Sequence, residues 1–234
     1  DTLRPRPRVV LGSDTRMSSA MLASAVTAGL CSVGADVLDL GVIPTPAVAY
    51  LVGKYKADAG IMISASHNPF EYNGVKIFSG DGYKLPDALE EEIESIVLDH
   101  AKTLTPVTGE RIGRVIPMTD AVRDYTDHLK ATVPYSLQGL HIAVDCANGA
   151  ASRTARRLFE GLGATCEFLF ETPDGCNIND GCGSTHPEAL QEYVVSHGLD
   201  AGVAFDGDAD RCFCVDETGH VVDGDVMMAI CALD

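Results

Sequence analysis

Twice in this chain an apolar run ends in a polar turn that carries an aspartate, a helical pattern follows, and a Gly-Ala pair opens the next apolar run. The first passage runs from Arg8 to Asp14, through apolar positions Met21, Leu22, Ala25, Val26, Leu30 and Val33, to Gly34-Ala35. The second runs from Leu140 to Asp145, through Ala151 to Leu162, to Gly163-Ala164. Strands that alternate with helices of this length are joined by crossovers and lie parallel, with the helices covering the sheet. A weak internal duplication is therefore expected, with a boundary near residues 134–139, where Pro134 and Gly139 interrupt the pattern. The expected division is residues 1–135 and 136–234.

The remaining elements follow the same logic. Ser18 or Ser19 is placed to cap the first helix, and Gly34 to end it. Ala35 to Gly41 reads as a second strand, and Thr45 as the cap of a helix with Pro46 at its first position. Ala59 to Ser64 is a continuous apolar run, the signature of a strand buried on both faces. Val75 to Phe78 predicts another strand, and Pro86 precedes an acidic amphipathic helix from Asp87 to Leu98. Its Glu90, Glu91, Glu92 and Glu94 read as a solvated face. Ala164 to Phe170 closes the second passage as a strand.

Composition narrows the function classes. With 34 acidic against 17 basic residues the formal charge is −17, so the average surface repels a nucleic-acid backbone. A bound phosphate must meet a local positive site or a metal. No apolar run reaches the roughly 18 residues of a membrane span, and Arg4-Pro5-Arg6-Pro7-Arg8 leads into no signal-peptide core. The expectation is a soluble, cytoplasmic protein without nucleic-acid or membrane partners. Eight cysteines sit mostly in apolar segments without a CxxC pair, which predicts reduced thiols; only Cys176 and Cys182 flank a common polar loop. The opening Asp1-Thr2-Leu3 and the close at Asp234 within the apolar run from Val226 read as cuts in something longer.

Chemistry concentrates in two segments. In Phe205-Asp206-Gly207-Asp208-Ala209-Asp210-Arg211, carboxylates alternate with small residues. Side chains two apart on an extended segment share a face, and three carboxylates there repel one another unless a cation sits among them. An all-oxygen set suits Mg²⁺ or Ca²⁺ rather than zinc. A lone acidic turn is ordinarily just solvated, but apolar runs on both sides place this one at a strand end facing a cleft. An EF-hand calcium loop fails the test, because Arg211 stands where its glycine belongs and the flanks are strand-like.

The second segment, Ser64-Ala65-Ser66-His67-Asn68-Pro69, follows the most strand-like run, where open α/β sheets bind ligands. Asn73-Gly74 turns the chain so that Lys76 returns beside the same strand end. A hydroxyl, an imidazole and an ammonium are thereby expected to converge. Taken singly, Ser66 and His67 read first as turn residues and Lys76 as a solvated strand end. No GxSxG elbow supports a hydrolase.

Together these segments carry a resemblance. Ile63 to Pro69 resembles the phosphoserine loop of the α-D-phosphohexomutase superfamily, and Asp206 to Arg211 resembles its DGDxDR metal loop. Cys176 to Glu188, Gly41 to Pro46 and Asp145 to Ala150 are most similar to the family's bacterial amino-sugar branch. The resemblance implies an α/β fold of two similar α/β/α domains with mixed, mostly parallel sheets, the first two of four, with the chain ending where a third begins. It implies an isomerase in which phosphorylated Ser66 passes its phosphoryl group to a sugar phosphate and regains the other from a bisphosphate. Glucosamine 6-phosphate and glucosamine 1-phosphate would interconvert, feeding amino-sugar nucleotide (UDP-GlcNAc) synthesis. By the same resemblance Mg²⁺ is held by Asp206, Asp208, Asp210 and a Ser66 phosphate oxygen. Lys76 exchanges a proton with the sugar hydroxyl, His67 supports the phosphoserine, and Arg211 and Arg16 contact phosphate or position the loop. The small-molecule partner is a sugar phosphate, and a homodimer is one assembly the family allows.

The family's FGTDGIRG-like opening, GExSGH-like sugar loop and C-terminal phosphate loop are absent from these 234 residues. The expectation is a piece that binds metal and carries phosphoserine without completing a catalytic cycle. Phosphomannomutase or phosphoglucomutase activity remains the alternative within the family. Outside it stand an aspartyl-phosphate enzyme with Asp206 as nucleophile and Asp208 as acid/base, and a non-catalytic ion-binding module.

Overall fold

A computed structural model of the chain describes residues 6–99 and 104–233. The opening Asp1-Thr2-Leu3 and the closing Asp234 lie outside the described residues.

The first unit comprises β1 (Arg8–Ser13), α1 (Met17–Ser32), β2 (Asp36–Val42), α2 (Thr45–Lys54), β3 (Ala59–Ile63), β4 (Val75–Ser79), α3 (Asp87–Leu98) and β5 (Val115–Pro117). Its sheet has the order β4-β3-β1-β2-β5. β1, β2, β3 and β5 run parallel, as their helical crossovers require, whereas β4 returns antiparallel to β3 because no helix lies between them. Along β1 the pleat sends Val10 to one face and Val9 and Leu11 to the other. Val10 packs with Val48, Leu51 and Val52 of α2, while Val9 and Leu11 meet the α1 side chains Leu22, Val26 and Leu30. Each fully buried Val or Leu contributes about 1.5–3 kcal/mol relative to exposure. The apolar run in β3 is covered on both faces, with Ile61, Met62 and Ile63 all buried.

Helix α4 (Ala121–Thr132) follows and touches both halves. Ala121 and Tyr125 complete the first core, and Asp124 accepts a hydrogen bond from the Tyr55 hydroxyl at 2.9 Å. On its other side Thr126 Oγ1 accepts from Arg157 Nε at 2.9 Å.

The second unit comprises β6 (His141–Asp145), α5 (Ala155–Phe159), β7 (Thr165–Leu169), α6 (Glu188–His197), β8 (Ala201–Phe205), β9 (Cys212–Asp216), β10 (Val221–Val222) and α7 (Gly224–Leu233). Its sheet order, β10-β9-β8-β6-β7, repeats that of the first unit with β6, β7, β8 and β9 in the places of β1, β2, β3 and β4. β9 is likewise antiparallel to β8. The core again lies on both faces, with Leu190 and Val194 of α6 on one side and Ala151 and Ala155 on the other. The duplication reaches single groups: Asp14 and Asp145, both buried at the ends of equivalent strands, each accept the backbone N–H two residues on.

Local departures from expectation have physical reasons. Helix α1 begins at Met17 without a side-chain cap, because Ser19 directs its hydroxyl to Asp14 Oδ1 at 2.7 Å. Helix α2 follows Pro44, and Thr45 donates to Asp208 instead of capping. The helix expected from Ala151 to Leu162 is broken into a short α5 between two 3₁₀ turns, since Thr154 at φ −120° leaves helical geometry. Gly34 and Gly163 do end their helical segments, at φ +91° and +99°. No residue of α3 is fully buried, as a solvated acidic helix requires. All eight cysteines are free thiols. Among the described residues no helix is long and apolar enough to cross a membrane.

Candidate functional site

The two chemistry-bearing segments occupy the same place in the two units: Ser64 to Gly74 links β3 to β4, and Asp206 to Arg211 links β8 to β9. Each lies at the carboxyl end of a parallel strand, where such sheets present ligand-binding loops. The units meet through these loops.

Ser66 is buried and adopts φ +54°, a left-handed conformation uncommon outside glycine. Its N–H donates to Ser64 Oγ at 3.0 Å, and its Oγ donates to Asp206 Oδ2 at 2.6 Å. Its carbonyl accepts from Arg16 Nη2 and from Asn179 Nδ2, both at 3.0 Å. The carbonyl of Asn68 takes the same two donors, at 2.5 and 3.1 Å. The strained loop is thus pinned by its backbone.

The acidic segment is a turn and not the extended run that the alternation suggested. Ala209 takes φ +54° and returns its N–H to Asp206 O at 3.0 Å, so the three carboxylates converge by curling and not by sharing a strand face. One oxygen from each of Asp206, Asp208 and Asp210 lies within 4.8 Å of the others. Asp206 and Asp208 are fully buried. Burial pushes the Asp206 carboxyl above its ordinary pKa; the Ser66 hydrogen bond opposes this, and the neighbouring charges of Asp208 and Asp210 add to it.

The surrounding donors compensate part of this charge. Lys76 Nζ lies 2.6 Å from Asp208 and 3.1 Å from Asp210, and Thr45 adds its hydroxyl to the same Asp208 oxygen. Burial lowers the Lys76 pKa, but its hydrogen bonds and proximity to both aspartates outweigh that and leave it raised. Arg211 Nε stands 3.6 Å from Asp210, and its Nη2 donates to Ser66 Oγ at 3.3 Å. Asp208 Oδ1 remains buried with no hydrogen-bond partner. An orphaned carboxylate oxygen beside two other carboxylates is the donor set of a hard divalent cation, so the residues fit Mg²⁺ or Ca²⁺.

Ser66, Lys76, Arg211 and the three aspartates therefore come together as the sequence suggested. Arg16 sits beneath the loop, paired with the buried Asp14 carboxylate, and holds the loop by its carbonyls. His67 does not join the cluster: it is exposed, makes no hydrogen bond among the described residues, and lines a cavity of about 730 Å³ with Phe70, Asn179, Thr185 and His186. Thr45 was missed as a site residue because its partner, Asp208, is 163 residues away.

Residues 1–103 match the phosphoglucomutase/phosphomannomutase alpha/beta/alpha domain I, and residues 123–219 match domain II of the same family. The chain belongs to the phosphoglucomutase/phosphomannomutase family. Among curated relatives, the phosphoglucosamine mutase of Clostridium novyi (strain NT) is 53% identical over 226 residues, 97% of this chain and 50% of the relative. That of Acetivibrio thermocellus is 54% identical over 228 residues, 97% of this chain and 51% of the relative. The chain spans about half the length of these relatives. A crystal structure of a phosphoglucomutase/phosphomannomutase family protein from Burkholderia thailandensis superposes with a TM-score of 0.79 at 27% identity, covering 92% of this chain and 48% of that one.

Proposed function

We propose that this chain supplies the phosphoryl-carrying half of a phosphoglucosamine mutase, which interconverts glucosamine 6-phosphate and glucosamine 1-phosphate. The observation that carries the reading is Ser66 Oγ placed 2.6 Å from Asp206 Oδ2, at the edge of three converging carboxylates. A phosphoryl group on Ser66 would meet this acidic cluster and the Arg211 guanidinium. Asp206, Asp208 and Asp210 would hold Mg²⁺, with a Ser66 phosphate oxygen joining them. The cation, when bound, neutralises charge on the phosphoryl group in flight.

The chain's own residues do the rest. Attack by a sugar hydroxyl oxygen forms the new O–P bond as the bond to Ser66 Oγ breaks, giving a sugar bisphosphate and a free serine. Lys76, the ammonium nearest the carboxylates, relays the proton: it gives one to the Ser66 oxygen as that oxygen leaves and, as the amine so formed, takes the one the sugar hydroxyl loses. After the bisphosphate reorients, the reverse steps return its other phosphate to Ser66. Arg211, whose Nη2 reaches Ser66 Oγ, holds phosphate oxygens in place. The name phosphoglucosamine mutase borne by the relatives supports reading the sugar as glucosamine and not glucose or mannose, and with it a product used in amino-sugar nucleotide synthesis.

The test is turnover of glucosamine 6-phosphate by the full-length protein with Mg²⁺ and a trace of sugar bisphosphate. Turnover that disappears in Ser66→Ala supports the reading. Turnover retained in Ser66→Ala and lost in Asp206→Asn would instead favour an aspartyl-phosphate enzyme.

A further inference from the structure

We infer that Asn179 is a positioning residue that holds the Ser66 loop in register with the acidic loop, an assignment that rests on the phosphoserine reading above. Asn179 lies between β7 and α6, in the second unit, 113 residues from Ser66. Both hydrogens of its side-chain amide are used on one target, the carbonyls of Ser66 and Asn68. Arg16 reaches the same two carbonyls from within the first unit. The loop bearing Ser66 is therefore gripped by one donor from each half of the molecule.

The geometry of Asn179 is itself constrained. It adopts φ +59°, which asparagine tolerates better than most residues, and its N–H is anchored on Ala147 O at 2.9 Å. Gly207 of the acidic loop packs against this contact: a Cβ there would lie 2.7 Å from both Asn179 Nδ2 and Ser66 O. Asn179, the Ser66 backbone and the acidic loop thus touch at one point. Because Asn179 engages only backbone carbonyls of the loop, its contribution falls on where Ser66 sits relative to Asp206. Such a misplacement lowers the rate of the chemical step and leaves ground-state binding nearly unchanged.

Asn179→Asp in the full-length protein removes both donors while keeping the size and the left-handed conformation. The expected result is a fall in kcat of about 10- to 100-fold, with KM for glucosamine 6-phosphate and the half-activating Mg²⁺ concentration within about threefold of wild type. Amide exchange in the segment from Ser66 to Tyr72 should quicken, with β1 and β3 unchanged. Gly207→Ala, which pushes on the same contact from the other side, should give the same fall in kcat with KM for glucosamine 6-phosphate unchanged and the same quickened exchange from Ser66 to Tyr72, and decides the matter if Asn179→Asp does not fold. An unchanged kcat, a rise in KM alone, or unchanged exchange in the Ser66 segment overturns the assignment. The wild type run alongside separates the two failures. Without wild-type turnover the phosphoserine reading falls; with it, and with an unaffected Asn179→Asp, only the positioning role does.

Discussion

Ser66 and Asp206, 140 residues apart, are joined by a 2.6 Å hydrogen bond across the junction of two topologically equivalent α/β/α units. The duplicated fold explains how this pair arises. Each unit places its β-to-β turn at the same sheet position, so packing the units loop to loop brings one hydroxyl against three carboxylates.

Lys76 is paired with Asp208 and Asp210, and the proposed mechanism has it exchange a proton from that position. Lys76→Met should lower kcat by about 10²- to 10⁴-fold, the usual size of a general acid/base contribution. Steady-state kinetics of the full-length enzyme check this, and normal turnover in the variant would rule out the proton-exchange role.

Thr45 supports Asp208 from the start of α2, with its hydroxyl on one carboxylate oxygen while the other is left free for a cation. Thr45→Val keeps the shape and removes the donor. Divalent-cation affinity should drop by about 10- to 100-fold, as losses of such supporting contacts generally cause. Titration calorimetry with Mg²⁺ reads the effect directly, without reference to turnover.

Much of this was legible in the chain because its signals are local. The β/α alternation and the helix-ending Gly34 and Gly163 are each set by a few neighbouring residues, and the structure reproduces them, whereas the reversal expected at Asn73-Gly74 is made earlier, by turns at residues 66–67 and 70–71. What escaped was long-range. Thr45 reads as a helix cap until Asp208 is brought beside it, and Ser19 reads as one until its hydroxyl is seen on Asp14. The curl of the acidic turn depends on Ala209 in a left-handed conformation that alanine does not announce. Helix α4 and its ties to both halves were not anticipated, since its partners Tyr55 and Arg157 lie far from it in sequence.

Asp145 ties two loops of the second unit together, accepting N–H groups from Ala147 and Gly183 at 2.8 Å each. Burial raises its pKa from 3.8 to about 6 despite those bonds. Between these values the folded protein holds a proton that the unfolded chain has released, so stability falls as pH rises through this window. The full cost is present above about pH 6. Its size is about 3 kcal/mol at 1.36 kcal/mol per pKa unit. Urea unfolding of wild type and Asp145→Asn from pH 4 to 7 should show this slope in the first protein and not in the second.

The phosphoserine mechanism stands or falls on where phosphate resides. Peptide mass spectrometry of the full-length protein as purified, with Ser66→Ala as the control, should find one phosphoryl group on the peptide containing Ser66 and none in the variant. A Ser66 peptide that stays unmodified even after incubation with a hexosamine or hexose bisphosphate and Mg²⁺ would contradict the phosphoserine mechanism.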